Sequence, residues 1–178
     1  SDKSEQRAKS VGGLEQLVAT RRLIEKAGIA VSIVTGAGTG TWEYTAGFPG
    51  VTEIQPGSFV LMDCIYRQFR PEFGCALSIL CTVISVRPKW YTLDAGSKAI
   101  SKDFGMPIVK DHPAETLTRL SEEHAKVEGE PPPVKIGDRR EVLPAHCCAT
   151  MNLHRQAVAV RRGKVEAVWP IEASGRYD

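Results

Sequence analysis

Gly28-Ile29-Ala30-Val31-Ser32-Ile33-Val34-Thr35-Gly36-Ala37-Gly38-Thr39-Gly40-Thr41 is the stretch that decides the fold. A β-branched run leaves one glycine and enters a loop with glycine at alternate positions. Upstream, over residues 11–27, Leu14, Leu17, Val18, Ala19, Leu23 and Ile24 recur at three- and four-residue spacings. That period predicts an amphipathic helix, and Gly28 is placed to stop it. Helix, short turn, buried strand and glycine loop is the local grammar of an α/β unit. One helix and one strand cannot close a sheet. Residues 1–48 therefore read as the last helix–strand piece of an α/β domain most of which is absent.

Downstream the pattern changes. From Pro49 no long helical period appears. Short strands are expected at Ser58–Met62, Trp90–Leu93, Leu117–Leu120 and Lys126–Glu128, with a long core strand at Ala76–Val86, and Arg140–Leu143 leads to Pro144-Ala145-His146-Cys147-Cys148. Ala157–Val160 and Val165–Trp169 flank Arg161-Arg162-Gly163-Lys164, a hairpin with Gly163 in its turn. Pro131-Pro132-Pro133 reads as a rigid surface loop. The fold class is thus mainly β, with a C-terminal β-barrel-like domain over residues 49–178.

The 178 residues suit one domain or a domain and a half. With 42% hydrophobic and 25% charged residues, the chain is no disordered tail, collagen-like fibre or coiled coil. A net charge of +2 with mixed signs offers no basic field for nucleic acid. No run approaches the roughly 20 apolar residues of a membrane helix. The polar start, Ser1 to Arg7, has no secretory core, and the five cysteines are an odd number. Reduced thiols in a cytoplasmic protein follow. The chain lacks an initiator Met, through simple removal or because it is a piece of a longer polypeptide.

Four segments could carry chemistry. In the glycine loop, missing side chains let backbone N–H groups approach an anion, and threonine hydroxyls add donors. A phosphate is the expected ligand, although no Gly-Lys-Ser/Thr follows as in a P-loop. A plain strand-to-loop turn accounts for the same glycines. In His146-Cys147-Cys148, extended backbone would point His146 and Cys148 the same way, and imidazole with thiolate is a natural zinc pair. A buried histidine with two core thiols is the simpler alternative. In Ser121-Glu122-Glu123-His124, His124 is a candidate acid–base group, or part of a solvated charge run. Asp94, in the strand-end turn Asp94-Ala95-Gly96-Ser97-Lys98, is a candidate polar site residue, although turn chemistry also explains it. Cys64, Cys75 and Cys81 lie in apolar runs and read as core.

Taken in order, these pieces resemble the D-threonine aldolase and D-serine dehydratase family. The resemblance rests on Thr35–Thr41, Thr52–Asp63, Leu93–Lys98, Ser121–His124, Pro144–Leu153 and Trp169-Pro170-Ile171. It implies a fold-type III enzyme that joins a (β/α)8 barrel to a C-terminal β-domain, with residues 1–48 as the last helix–strand unit of a truncated barrel and residues 49–178 as the metal-binding β-domain. It implies pyridoxal 5′-phosphate as cofactor, bound as a Schiff base to a barrel lysine. It implies a divalent metal, zinc or manganese, acting on the β-hydroxyl of a small D-β-hydroxy amino acid. By the same resemblance the phosphate loop falls on Gly38, Thr39, Gly40 and Thr41, and the metal ligands on His146 and Cys148. A homodimer is also implied. Ala37 stands where the family usually has glycine. Lys3, Lys9 and Lys26 have no context matching the Schiff-base lysine, so the chain is expected to be the C-terminal part of such a lyase and inactive alone. Retro-aldol cleavage and dehydration remain alternatives.

Two rival readings stand beside it. A non-enzymatic zinc-binding β module would need four protein ligands, and no second Cys/His pair has metal spacing. A zinc hydrolase would use His146, Cys148 and His124 as ligands and Glu123 to activate water.

Overall fold

A computed structural model describes residues 2–129 and 134–176. The chain divides into two compact units, Ser1–Val60 and Leu61–Asp178. Pro131–Pro133 lie outside the described residues.

In the first unit, helix α1 spans Lys3–Lys26 and starts well before the apolar period does. Its cap is Asp2, whose side chain accepts the Ser4 N–H at 3.2 Å. The helix buries Leu14 and Val18, whereas Leu23 is 68% exposed. It ends at Gly28, which takes φ +86°. The expected buried strand over residues 29–34 does not form. Only Thr35–Gly36 (β1) pairs, in parallel with Glu53–Ile54 (β2), and Ile29 and Ile33 are exposed. Among the described residues no strand lies alongside 29–34, and a β run without a neighbour has nowhere to place its backbone hydrogen bonds. Val34 is the hinge of the pairing: its carbonyl accepts the N–H groups of Thr52 and Glu53. This pairing draws residues 50–60 into the first unit, so the boundary falls after Val60 where the change of sequence pattern falls near Pro49. A single helical turn, α2, follows the glycine loop at Trp42–Thr45.

Ser58–Met62 is also not a strand. Ser58–Val60 is a 3-10 turn, and Met62 adopts φ +56°, which breaks an extended run. The second unit then adds one turn of helix, α3, at Tyr66–Phe69.

The sheet of the second unit has four strands where strands are expected and two more, at residues 108–109 and 139–143. β3 is Ile79–Arg87, β4 Trp90–Leu93, β5 Ile108–Val109, β6 Thr116–Leu120, β7 Ala125–Glu128 and β8 Arg139–Leu143. They form one antiparallel sheet in the order β5-β8-β3-β4-β7-β6. Its two edge strands, β5 and β6, come into contact, which makes the sheet a nearly closed barrel. The alternation is clear on β7, where Ala125 and Val127 point inward. Cys81, Val83, Tyr91, Leu93, Leu117, Val127 and Val142 meet in the interior. After β8 come helix α4, Cys147–Met151, and the hairpin of β9, Gln156–Arg161, and β10, Lys164–Pro170. The hairpin turns through Arg162 and Gly163, both at positive φ as a type I′ turn requires. No described helix is long and apolar enough to cross a membrane.

One polar network lies within this apolar wall. Glu115, 5% exposed, accepts two hydrogen bonds from the Arg140 guanidinium, Nε and Nη2, each at 3.1 Å. The Tyr91 hydroxyl donates to the same carboxylate. Burial, reinforced by Glu115, pushes the Tyr91 phenol above its ordinary value. Removing the carboxylate leaves a guanidinium and a phenol without their acceptor. Glu115→Ala is therefore expected to cost about 3–5 kcal/mol of stability, read as a fall in the urea midpoint. Glu115→Gln should lose less, and an unchanged midpoint for both variants would show that the network does not hold the barrel.

Candidate functional site

The glycine loop leaves β1 with Ala37 at φ +65°. A left-handed alanine is strained by about 1–2 kcal/mol, which glycine avoids. Thr39 is almost fully buried, and its hydroxyl oxygen accepts the Phe59 N–H at 3.0 Å. The Thr41 N–H donates to the Gly38 carbonyl at 3.1 Å, closing a turn. The Gly40 carbonyl accepts from Gln6 Nε2 at 3.4 Å. The loop is thus pinned at Thr39 and at both ends of the turn. No described residue accepts a hydrogen bond from the Gly38 or Thr39 amide, so strand pairing does not consume these N–H groups.

The second candidate lies where β8 runs into α4. His146 is extended, at φ −144° and ψ 112°, and acts as the N-cap residue. Cys148 belongs to the helix that begins at Cys147, so the strand-like alternation expected for residues 146–148 does not occur. Asp63 is the cause. This fully buried carboxylate accepts the Cys147 N–H through Oδ2 at 3.2 Å. Its Oδ1 accepts the Ile65 and Tyr66 amides at 3.1 and 2.8 Å, at the start of α3. An acceptor waiting at Cys147 satisfies a first-turn amide and lets the helix start there. Cys147 is buried and Cys148 exposed, with their sulfurs 3.9 Å apart.

His146 is held from two sides. Its Nδ1 lies 2.6 Å from Asp103 Oδ2. The Phe104 ring stacks on the imidazole, with centroids 4.0 Å apart and planes 9° from parallel. Desolvation opposes the charge on Asp103, but hydrogen bonds from Ser101 and His146 outweigh it and hold the carboxyl below its ordinary value. Among the described residues no group of three or more His, Cys, Asp or Glu side chains is arranged to hold a metal ion. The donor chemistry available is one imidazole and one thiol. That set suits zinc and leaves positions for small molecules.

Asp94 and His124 lie on two turns packed together. The amides of Ser97 and Lys98 donate to the carbonyls of Ser121 and Glu122 at 2.8 and 3.0 Å. A Cβ at Gly96 would lie 2.4 Å from the Ser121 carbonyl oxygen, so the approach requires glycine. Asp94 Oδ1 accepts the Thr82 N–H at 2.7 Å beside the β3–β4 bulge. His124 is exposed. Asp63, Asp103 and Phe104 were not singled out from the sequence. Asp103 lies 43 residues from its histidine partner, a separation that leaves no local signal.

Ala37→Gly is expected to raise stability by about 0.5–1 kcal/mol, the relieved strain offset by the freer unfolded chain; a lower thermal midpoint would contradict the strain. The thiols should also differ in reactivity. Burial pushes Cys64 up to about 11 and Cys81 up to about 12, with the nearby Asp63 and Asp94 carboxylates adding to it. Because the thiolate is the nucleophile, iodoacetamide at pH 8 should modify exposed Cys148 well before Cys64 and Cys81. Equal rates by peptide mapping of the folded chain would refute that order.

Residues 76–160 match the family described as "Putative serine dehydratase domain". A 3-hydroxy-D-aspartate aldolase of Paracoccus denitrificans is 34% identical over 97% of this chain and 47% of its own length. The solved D-threonine aldolase of Filomicrobium marinum superposes with a TM-score of 0.92 at 28% identity, covering 97% of this chain and 49% of that one. D-threo-3-hydroxyaspartate dehydratase, from Delftia sp. HT23, has been solved as a cysteine-to-alanine variant in the metal-free form, with TM-score 0.75 and 27% identity. That match covers 86% of this chain and 48% of the other. A histidine-to-alanine variant, altered two positions earlier, has TM-score 0.72 and 26% identity, covering 86% and 46%. The chain spans about half the length of the curated relatives it matches. Over 97% of its own length the fold follows that of the solved D-threonine aldolase; the chain carries a D-serine dehydratase-like domain and is similar to the C-terminal portion of the fold-type III pyridoxal-phosphate enzymes that include D-threonine aldolase.

Proposed function

We propose that this chain is the C-terminal part of a lyase that acts on D-β-hydroxy amino acids with pyridoxal phosphate and a divalent metal. The observation that carries the reading is the superposition on a D-threonine aldolase over 97% of the chain. The same relatives include an aldolase and a dehydratase, so either cleavage of Cα–Cβ or loss of the β-hydroxyl is open to the scaffold.

Within this reading the amides of Gly38 and Thr39, with Gly40 and Thr41, bind the cofactor phosphate. The pinned Thr39 keeps the loop from collapsing when the anion leaves. His146 and Cys148 hold the metal. They are the one His-x-Cys in the sequence, the spacing of the two altered positions in the solved dehydratase variants. When bound, pyridoxal phosphate is an electron sink for the substrate Cα, and the metal is a Lewis acid for the β-oxygen. Two protein donors leave coordination positions for that oxygen. His124 and Asp94 are the proposed proton-handling groups, carried on turns that backbone hydrogen bonds lock together. The lysine that holds the cofactor lies in the barrel half, as does part of the substrate pocket. A homodimer and a cytoplasmic location complete the proposal.

The test joins the family's barrel half ahead of Ser1 and offers D-threonine. Acetaldehyde with glycine reports cleavage, and 2-oxobutanoate with ammonia reports dehydration. Turnover should require pyridoxal phosphate and a divalent metal. His146→Ala should lower kcat by at least about 100-fold while cofactor binding stays near wild type. Full activity after exhaustive chelation would overturn the metal role, and turnover by the 178-residue chain alone would overturn the reading as a part.

A further inference from the structure

His146 is gripped more completely than a surface histidine needs to be. The loop that grips it, Ser101 to Phe104, is itself anchored to α4. The Ser101 N–H donates to Thr150 Oγ1 at 3.2 Å, and Thr150 is fully buried. The Ser101 hydroxyl donates to Asp103 Oδ1, which orients the carboxylate and leaves Oδ2 for the imidazole. The Asp103 N–H closes the turn on Ser101 Oγ at 3.3 Å. On the other side, the Thr150 N–H donates to the His146 carbonyl at 3.2 Å, in the first turn of α4. Thr150 thus ties both the histidine backbone and the loop that carries its carboxylate partner.

A neutral imidazole has one N–H and one lone pair. With a carboxylate 2.6 Å from Nδ1, the proton belongs on Nδ1, and the lone pair belongs on Nε2. The stacked Phe104 ring then resists rotation of the imidazole about its own axis. Metal-binding histidines are commonly prepared in this way, with the far nitrogen donating to a carboxylate. We propose that Asp103 and Phe104 are positioning residues for His146: Asp103 fixes the tautomer and Phe104 the ring plane, so that Nε2 is presented as the metal donor. The inference rests on the metal role given to His146 above and adds the two residues that prepare it. An ordinary exposed ion pair would contribute little to stability and nothing to metal affinity.

The experiment uses zinc alone and the chain as it stands. Zinc affinity is measured by competition with a chromophoric chelator for wild type and for Asp103→Ala, Asp103→Asn, Asp103→Glu and Phe104→Ala. The histidine tautomer is read in the metal-free chain by long-range proton–nitrogen correlation. Cobalt substitution adds a sulfur charge-transfer band that reports Cys148. Asp103→Ala should weaken zinc binding about 10–100-fold and shift His146 away from the Nδ1–H tautomer, with the urea midpoint nearly unchanged. Asp103→Glu should recover part of the affinity. Phe104→Ala should weaken binding while the tautomer is kept. If Asp103→Ala does not fold, the isosteric Asp103→Asn carries the comparison, with intermediate affinity expected because its amide oxygen still accepts from Nδ1–H. Wild-type affinity in Asp103→Ala or Asp103→Asn, or an unaltered tautomer in Asp103→Ala, would overturn this inference alone. A wild-type chain whose zinc uptake is no greater than that of His146→Ala would overturn the metal role, and this inference with it.

Discussion

Asp63 has no exposed surface, and each hydrogen bond its carboxylate accepts comes from a backbone amide at the start of a helix. A buried carboxylate is tolerated only when such donors replace its water. Each charge-assisted bond of this kind contributes about 1.5–3 kcal/mol. The consequence is positional. Residue 63 is fastened to residue 147 across a separation of 84 residues, and the Cys64 N–H adds a bond to the Pro144 carbonyl at 2.9 Å. Leu143 and Ala145 pack with Cys64 beneath the junction. The place where β8 ends and α4 begins is therefore dictated from the far end of the unit. His146 owes its position as N-cap to this constraint.

The barrel supplies the rest of the frame. Apart from the nine-residue β3 its strands are short, and β5 has only two residues. Closure depends on the apolar interior and on Glu115 binding Arg140 of β8 and Tyr91 of β4. These strands lie two apart in the sheet, so the network braces the wall across β3. The turns that follow β4 and β6 then come together, with Gly96 allowing backbone to approach backbone. From that edge the chain runs through Ile100, wholly buried, into the loop of Asp103 and Phe104. The carboxylate that meets His146 thus sits on a segment whose root is in the core and whose side is bound to α4.

Much of this was legible locally. Trp90–Leu93 and the hairpin around Gly163 carry their own period and turn residues, and the strands appear where those signals lie. Cys64 and Cys81 are buried, as their apolar surroundings suggest, whereas Cys75, also expected in the core, is half-buried. Ile29–Val34 has equally strong β character yet forms no strand, because strand formation needs a neighbour and propensity cannot supply one. The backbone at Cys148 departs from the expected alternation for a related reason. Alternation along an extended chain was assumed at residues 146–148, and an aspartate far away in sequence began a helix there instead.

The order of motifs, the glycine loop, the His-x-Cys pair and the mainly β character of the larger part were determined by the sequence itself, because each depends on residues within a few positions of one another. Tertiary structure alone decided which of those residues meet which. The Asp63–Cys147 bond, the Glu115 network and the Asp103–His146–Phe104 stack all join residues that no periodicity links. For Asp63 and Glu115 the energy comes from excluding water around a polar group and giving it a partner, and that exclusion exists only once the second unit has folded.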